Sequence, residues 1–464
     1  MAERSKFNSK LGLLLAAAGS AVGLGNIWRF PTEVGQNGGA AFILLYVACI
    51  IIFGMPIMIG EFMIGRASRV SVGRSYKRLK PGTRWKWLGR TMVVTPFLIL
   101  CYYNVVAGWT LFYLGSAAMG TLSEVPNAAL GGYFAEFTGG AWTSFAHGSA
   151  WQLTCLLTFC LMTHAIVTRG VTHGIERFSK LMMPGLFVIF VALGICSLTM
   201  DGAPDALRFL FRPDFSKLTP SITLSAIGQA FYSLSLAMGI LTTYASYFKE
   251  DTNLGKTAIQ IGAIDTLVSI LAGIVIFPAI FSVAGPEAVT AGPSLIFIAL
   301  PGVFNTVFFR LPLLGYLFSF AFYALLVLAT LTTTISLHEA VTSYFSEATG
   351  WTRKRSATAV TLTTMIVGVA CALSFGPWKE FTVCGLPLFD LFDYVTAKLM
   401  LPIGGFFISI FAGWRLPTKI WWMQMTNKGT RQYPFFGISI FMLRWVCPLG
   451  ILLIFLQQLG VFGA

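Results

Sequence analysis

Apolar side chains occur along this chain in long blocks separated by short polar stretches. The blocks fall at 9–33, 39–65, 88–120, 150–167, 178–199, 221–248, 256–284, 312–345, 357–373, 388–413 and 435–461. Most approach or exceed the roughly 20 residues a helix needs to cross a bilayer, and none alternates as a barrel strand would. The pattern predicts an all-α polytopic membrane protein with about 11 transmembrane helices. Two blocks are interrupted. The first contains Gly19-Ser20-Ala21-Val22-Gly23-Leu24-Gly25-Asn26, and the sixth contains Tyr232-Ser233-Leu234-Ser235-Leu236-Ala237-Met238-Gly239. Glycine in a helix interior costs about 1 kcal/mol against alanine, so a break is expected in each. A lone membrane glycine is commonly a helix-packing contact; interruptions at matching positions, five blocks apart, instead mark a transporter site between two repeats. The expected organisation is one transporter domain over 1–464. A first five-helix repeat spans 9–199, an inverted second spans 221–413, and an additional eleventh helix lies at 435–461.

Composition excludes a soluble enzyme. Of 464 residues 56% are hydrophobic and 11% charged, whereas soluble domains carry about 25% charge. The net charge of +14 would suggest nucleic acid in a soluble protein, but its distribution assigns it to membrane topology. Arg66, Arg69, Arg74, Lys77, Arg78, Lys80, Arg84, Lys86 and Arg90 lie in one loop without an acid, whereas the loop at 122–149 holds Glu124 and Glu136 and no Lys or Arg. Basic loops stay inside, so the N-terminus is expected in the cytoplasm and the C-terminus outside, in a plasma or bacterial inner membrane. The run after Arg4, Lys6 and Lys10 imitates a signal peptide. However, the segment ending Trp28-Arg29-Phe30 is a poor start for a mature exported chain. Eight cysteines without CxxC spacing and four scattered histidines (His147, His164, His173, His338) point to neither a disulfide framework nor a metal centre. Glu33, Glu61 and Glu339 read as structural hydrogen-bond partners, with a role near a cation as the other reading for Glu339.

The run Ala21-Val22-Gly23-Leu24-Gly25-Asn26-Ile27-Trp28-Arg29-Phe30-Pro31, followed by Gln36-Asn37-Gly38-Gly39-Ala40-Ala41-Phe42, resembles the first-helix signature of the neurotransmitter:sodium symporters. So do Gly174-Ile175-Glu176-Arg177, Gly228-Gln229-Ala230-Phe231-Tyr232-Ser233-Leu234-Ser235 and Thr242-Thr243-Tyr244-Ala245-Ser246-Tyr247. The likeness runs over nearly the whole chain and is nearest to the prokaryotic amino-acid transporters. It implies two sodium sites and no organic cofactor. Site 1 would use Ala21, Asn26, Ser233 and Asp265 with the substrate's carboxylate; site 2 would use Gly19, Val22, Ala329, Thr332 and Thr333. These supply the hard oxygens sodium needs, although threonine hydroxyls commonly bond back to their own helix. The implied substrate pocket is Ala21, Gly23, Gly25, Ile99, Tyr103, Tyr232, Ser233, Ser235, Met238, Thr333 and Leu337.

That pocket suits a zwitterion with an apolar side chain. Monoamine members of the family carry an aspartate where Gly23 stands, so its absence argues for amino acids. Met238 is pliable, and Ala237, where a glycine is common, is expected to restrict the largest side chains. An aspartate at a helix centre costs about 2.5 to 3.5 kcal/mol on insertion scales and needs a partner; for Asp265 that partner is expected to be sodium. Chloride-dependent relatives have asparagine there and bind chloride through residues matching Tyr46, Gln229, Ser233 and Ser269, all present here, so the sequence points both ways. The expectation is that the Asp265 carboxylate replaces the chloride charge and takes a proton when sodium leaves. The resemblance also implies gates. Arg29 would pair with Asp393 under Tyr103 and Tyr232, and Arg4 with Glu347 beside Phe7, which replaces a usual tryptophan and is expected to weaken inner closure. Gly174 and Pro184 have a spacing some relatives use to unwind the fifth helix.

The expected function is a sodium-coupled symporter importing hydrophobic or aromatic L-amino acids by alternating access, without chloride and without covalent chemistry. Two rivals differ in class. A membrane enzyme would need a nucleophile with a base, or a metal cluster, and no such motif is present. An amino-acid sensor that binds without transport would be expected to carry an appended signalling domain, and the termini are short. Oligomeric state is left open.

Overall fold

A computed structural model describes residues 7–140, 149–283, 285 and 292–458. Helices dominate. They are α1 (Lys10–Ala21), α2 (Gly25–Gln36), α3 (Ala40–Ser68), α4 (Val72–Leu79), α5 (Lys86–Met119), α6 (Leu130–Gly139), α7 (Ala150–Thr168), α8 (Val171–Ser197) and α9 (Ala203–Phe211). The chain continues through α10 (Pro220–Ser233), α11 (Ile240–Ala245), α12 (Leu254–Phe281), α13 (Leu295–Val307), α14 (Pro312–Thr349), α15 (Arg353–Leu373), α16 (Leu388–Arg415), α17 (Thr418–Met425) and α18 (Phe436–Leu456). One two-stranded antiparallel ribbon pairs Thr382–Val383 with Leu386–Pro387.

Among the described residues nine helices are long and apolar enough to cross a membrane, and the bent pair α1 and α2 makes up to ten. The sixth expected span falls on α10 and α11, which at 14 and 6 residues are each too short to cross alone. At 1.5 Å per residue α10 reaches only about 21 Å. Short helices that the hydropathy blocks did not predict occupy the loops: α4 in the basic loop, α6 at 130–139, α9 at 203–211, α13 at 295–307 and α17 at 418–425. The fifth expected span is continuous as α8, with Pro184 inside it, so the Gly174 and Pro184 spacing unwinds nothing in this conformation.

Both predicted breaks are present. α1 ends at Ala21 and the chain bends by 51° before α2. α10 ends at Ser233, and six residues pass before α11. In that gap Ser235 (φ 53°), Ala237 (φ 60°) and Gly239 (φ 71°) all take the left-handed region, which costs an L residue roughly 1–2 kcal/mol. The two gaps face each other at the centre of the fold: Ser235 Oγ donates to the Ser20 carbonyl at 2.7 Å.

At the end bearing the basic loop the segment 7–10 packs against α8 and the residues that follow α11. Phe7 is buried edge-on against Tyr244 and Tyr247, with centroids 6.0 and 6.1 Å away. Asn8 N and Ser9 N donate to Glu176, Lys249 Nζ donates to the Asn8 carbonyl, and Lys10 pairs with Asp251 at 2.9 Å. That lysine holds the exposed Asp251 carboxyl below its ordinary range, and Lys428 does the same for Glu250.

Candidate functional site

Each break frees backbone carbonyls because a side chain captures the amide that would otherwise bond to them. In an unbroken helix Gly23 N–H would donate to the Gly19 carbonyl; here it donates to Asn26 Oδ1 at 3.0 Å. Ala237 N–H would donate to the Ser233 carbonyl; here it donates to Glu61 Oε1 at 2.8 Å. Leu24 N–H turns to the Tyr103 hydroxyl at 3.4 Å. Among the described residues nothing donates to the carbonyls of Gly19 or Ala21. Glu61, fully buried on α3, also accepts from Thr242 N and Thr242 Oγ1 at the start of α11. It therefore caps the second half-helix in place of the missing turn.

Beside these carbonyls lies Asp265 on α12, fully buried. Its carboxylate accepts from Asn26 Nδ2 (2.7 Å), Tyr46 OH (2.8 Å) and Ser233 Oγ (2.7 and 2.8 Å). Asn26 Nδ2 also reaches Ser269 Oγ at 2.9 Å. Gln229 donates to the Gly25 carbonyl at 3.0 Å, while its Oε1 has no partner. Among the described residues no Lys, Arg or His lies within ion-pair distance of Asp265. A buried carboxylate held only by neutral donors lacks a positive charge. The oxygens around it are the hard type that suits a small cation, so the donor set fits sodium at site 1. Asn26 Oδ1 retains a second lone pair beyond the one used by Gly23.

The second set is neutral and less open. Thr332 Oγ1 approaches the Val22 carbonyl at 3.4 Å, bridging the first break to α14. Thr332 and Thr333 also donate back to the Ala329 carbonyl at 2.8 and 3.2 Å, the self-bonding weighed from sequence. A hydroxyl that donates this way keeps its lone pairs outward, so the threonines remain able to face an ion, while the Ala329 carbonyl already serves both.

The residues expected to hold a substrate are placed as follows. A Cβ added at Gly23 would stand 2.5 Å from Thr333 Oγ1 and 3.2 Å from the Tyr103 hydroxyl, so these three meet at the first break. One added at Gly25 would stand 3.1 Å from the Tyr232 ring. Ala21, Ile99, Met238 and Leu337 are buried. The Ala237 methyl lies toward Gly404 of α16, where a Cβ on Gly404 would stand 3.3 Å from it. It is fully buried on that side.

The gates are more mixed. Arg29 pairs with Glu33, four residues on, at 3.7 Å, and its guanidinium sits 4.8 Å over the Tyr232 ring. It makes no ion pair with Asp393 in this conformation, because the nearer carboxylate on its own helix competes for it. Arg4 lies outside the described residues. Its expected partner Glu347 accepts from Ser71 N and Oγ, capping α4. Glu339 pairs with Arg353 at 2.5 Å and accepts from Tyr247 at 2.6 Å, as a structural partner would. Glu61 is the structural hydrogen-bond partner the sequence suggests, but which groups it holds is not legible there, since they lie 176 and 181 residues away and no local pattern signals them.

The model for the "Sodium:neurotransmitter symporter family" matches residues 4–125 and 144–463. The chain belongs to this family. Its members are transporters, not enzymes, and sodium use comes with membership. An uncharacterized sodium-dependent transporter of Bacillus subtilis, YhdH, is 36% identical over 98% of both chains. The rat sodium-dependent neutral amino acid transporter B(0)AT2 is 31% identical over 59% of this chain and 40% of its own length. Among solved structures, MhsT in complex with L-phenylalanine matches with a TM-score of 0.86 and 40% identity, covering 98% of this chain and all of that one. The chain is thus a multi-pass membrane transporter of the sodium-dependent kind.

Proposed function

We propose that the chain imports hydrophobic or aromatic L-amino acids together with sodium by alternating access, the two halves 9–199 and 221–413 moving against each other around the breaks. The observation that carries this reading is the pair of diverted amides, Gly23 to Asn26 and Ala237 to Glu61, beside a buried carboxylate with no cationic side chain at ion-pair distance among the described residues. Site 1 would take sodium at Ala21, Asn26, Ser233 and Asp265, and site 2 at Gly19, Val22, Ala329, Thr332 and Thr333. The substrate's carboxylate would lie at the first break, near the Leu24 amide and the Tyr103 hydroxyl, with its side chain toward Ile99, Tyr232, Met238 and Leu337. The L-phenylalanine bound to MhsT and the neutral amino acids named for B(0)AT2 support this substrate class.

A cation touching the substrate's carboxylate couples the two affinities, and the coupling is reciprocal. Asp265 supplies the fixed negative charge, so chloride is not required. Arg29, released from Glu33, would meet Asp393 when the outer path closes, and Glu347 with Arg4 would serve the cytoplasmic side. The test is uptake of a panel of labelled amino acids into proteoliposomes, driven by sodium or by choline, in chloride or in gluconate. Phenylalanine or leucine uptake should need sodium and survive gluconate. Asn26→Ala and Asp265→Ala should each abolish sodium-stimulated binding, and Asp265→Asn should make uptake chloride-dependent. Binding without any flux would favour the sensor.

A further inference from the structure

A groove of about 690 Å³ opens between the start of α5 and the second half of α16. Lys80, Arg84 and Arg415 line its charged end, and Trp85, Leu88, Ile403 and Phe407 line the rest. Among the described residues none of the three cations makes an ion pair, and the loop from Arg66 to Arg90 contains no acid to offer one. The charged end is therefore an uncompensated positive cluster.

The groove also has a direction. Arg415 closes α16, and Phe407 and Ile403 precede it along the same helix by about 12 and 18 Å at 1.5 Å per residue. Polarity thus falls from cationic at the end of the span to mainly apolar at hydrocarbon depth, where the lining Thr91 hydroxyl is spent on the Trp87 carbonyl, over about half a bilayer's hydrocarbon thickness. Trp87 stands at the boundary, 57% exposed, with the Arg90 guanidinium 4.6 Å over its ring, as aromatic residues do at a membrane interface. Phe407 and Ile403 are 42% and 38% exposed, so the protein leaves the apolar part uncovered.

We propose that this groove binds an anionic phospholipid from the adjoining leaflet. Lys80, Arg84 and Arg415 hold its phosphodiester, and one acyl chain lies along Trp85, Leu88, Ile403 and Phe407. Charge complementarity selects the occupant: a zwitterionic lipid offers the same chains and phosphate, but its amine cancels the attraction that each basic residue exerts on a net negative headgroup. The bound lipid would bridge α5, which carries Ile99 and Tyr103, to α16, which carries Asp393.

Native mass spectrometry of the detergent-purified full chain tests this, with phosphatidylglycerol, phosphatidylcholine of the same chains, or inorganic phosphate added. Phosphatidylglycerol should be retained at roughly tenfold lower concentration than phosphatidylcholine, and millimolar phosphate should not displace it. The preference should weaken about fivefold per cation removed and vanish in a Lys80→Gln, Arg84→Gln, Arg415→Gln triple variant. A control triple, Lys354→Gln, Arg355→Gln, Arg431→Gln, should keep it. Ile403→Trp, which fills the apolar end with all charges intact, should lower retention of both lipids. This variant and Arg415→Gln alone carry the test if the triple variant aggregates. Equal retention of the two lipids would overturn the proposal. So would an equal loss in both triples, or displacement by phosphate, which would indicate a free-anion site.

Discussion

The two broken helices are opened by different means. The first break is local: glycines weaken the helix, the chain passes through it with ordinary dihedral angles, and Asn26, three residues on, captures the released Gly23 amide. The second is imposed from outside. Its Ser235 and Ala237 are L residues in the left-handed region, and the acceptor for the Ala237 amide is Glu61 on α3, 176 residues away. One break is written into its own segment, and the other is held by a buried carboxylate on a different helix. The first should therefore tolerate loss of distant contacts, whereas the second should close or collapse without them. Helical propensity differences of about 1 kcal/mol per residue are enough to bias the first and too small to hold the second.

The largest expected effect follows from removing that outside support. Glu61→Ala leaves the Ala237 and Thr242 amides and the Thr242 hydroxyl without an acceptor in a buried setting. At about 1–3 kcal/mol per unsatisfied group, thermal unfolding in detergent should show a loss of about 3–9 kcal/mol, and sodium-driven uptake should disappear. Glu61→Gln keeps acceptor capacity on one oxygen only and should fall between. A Glu61→Ala protein that melts within a degree of the parent would break the contrast between the two gaps.

Next in size is a methyl in the first break. Gly23→Ala puts a Cβ 2.5 Å from Thr333 Oγ1 and 3.2 Å from the Tyr103 hydroxyl, and overpacking of this kind costs about 1–3 kcal/mol. Amino-acid binding should weaken by at least about tenfold while folding survives. Gly25→Ala meets the Tyr232 ring at 3.1 Å, a looser approach than the 2.5 Å at Gly23, so a loss of about threefold is expected. Scintillation proximity binding with labelled phenylalanine separates the two. Equal losses would mean that Tyr232 is held as firmly as Thr333.

These differences explain how much could be read from sequence. The first break was legible because glycine spacing and local propensity cause it. The placement of the second was legible from hydroxyls and a glycine inside an apolar block, but its cause was not, since Glu61 acts across the fold. The cluster of Asn26, Tyr46, Ser233 and Ser269 around Asp265 was legible only through the family resemblance, because four elements contribute to it. That Arg29 pairs with Glu33 and not Asp393 in this conformation was not legible, because position in the family does not rank competing carboxylates and Glu33 lies four residues on along the same helix. Helix α13 escaped because its eight-residue last part, with a proline at its start, reads as loop.

The smallest effect is the most direct measure of imposed strain. Ala237 sits at φ 60°, where an L residue costs about 1–2 kcal/mol. Ala237→Gly relieves that cost but gives the unfolded chain more freedom, by about 0.4–1 kcal/mol. The net expectation is a stabilisation of about 0.5–1 kcal/mol, seen as a slight rise in the melting temperature of the detergent-solubilised protein. A glycine at the same place in the first gap gains nothing of this kind, since Val22 already has φ −74°, so Val22→Gly should only destabilise. If Ala237→Gly instead melts several degrees lower, the Ala237 methyl against Gly404 matters more than the dihedral angle. The second gap would then be set by packing on α16 as well as by the Glu61 cap.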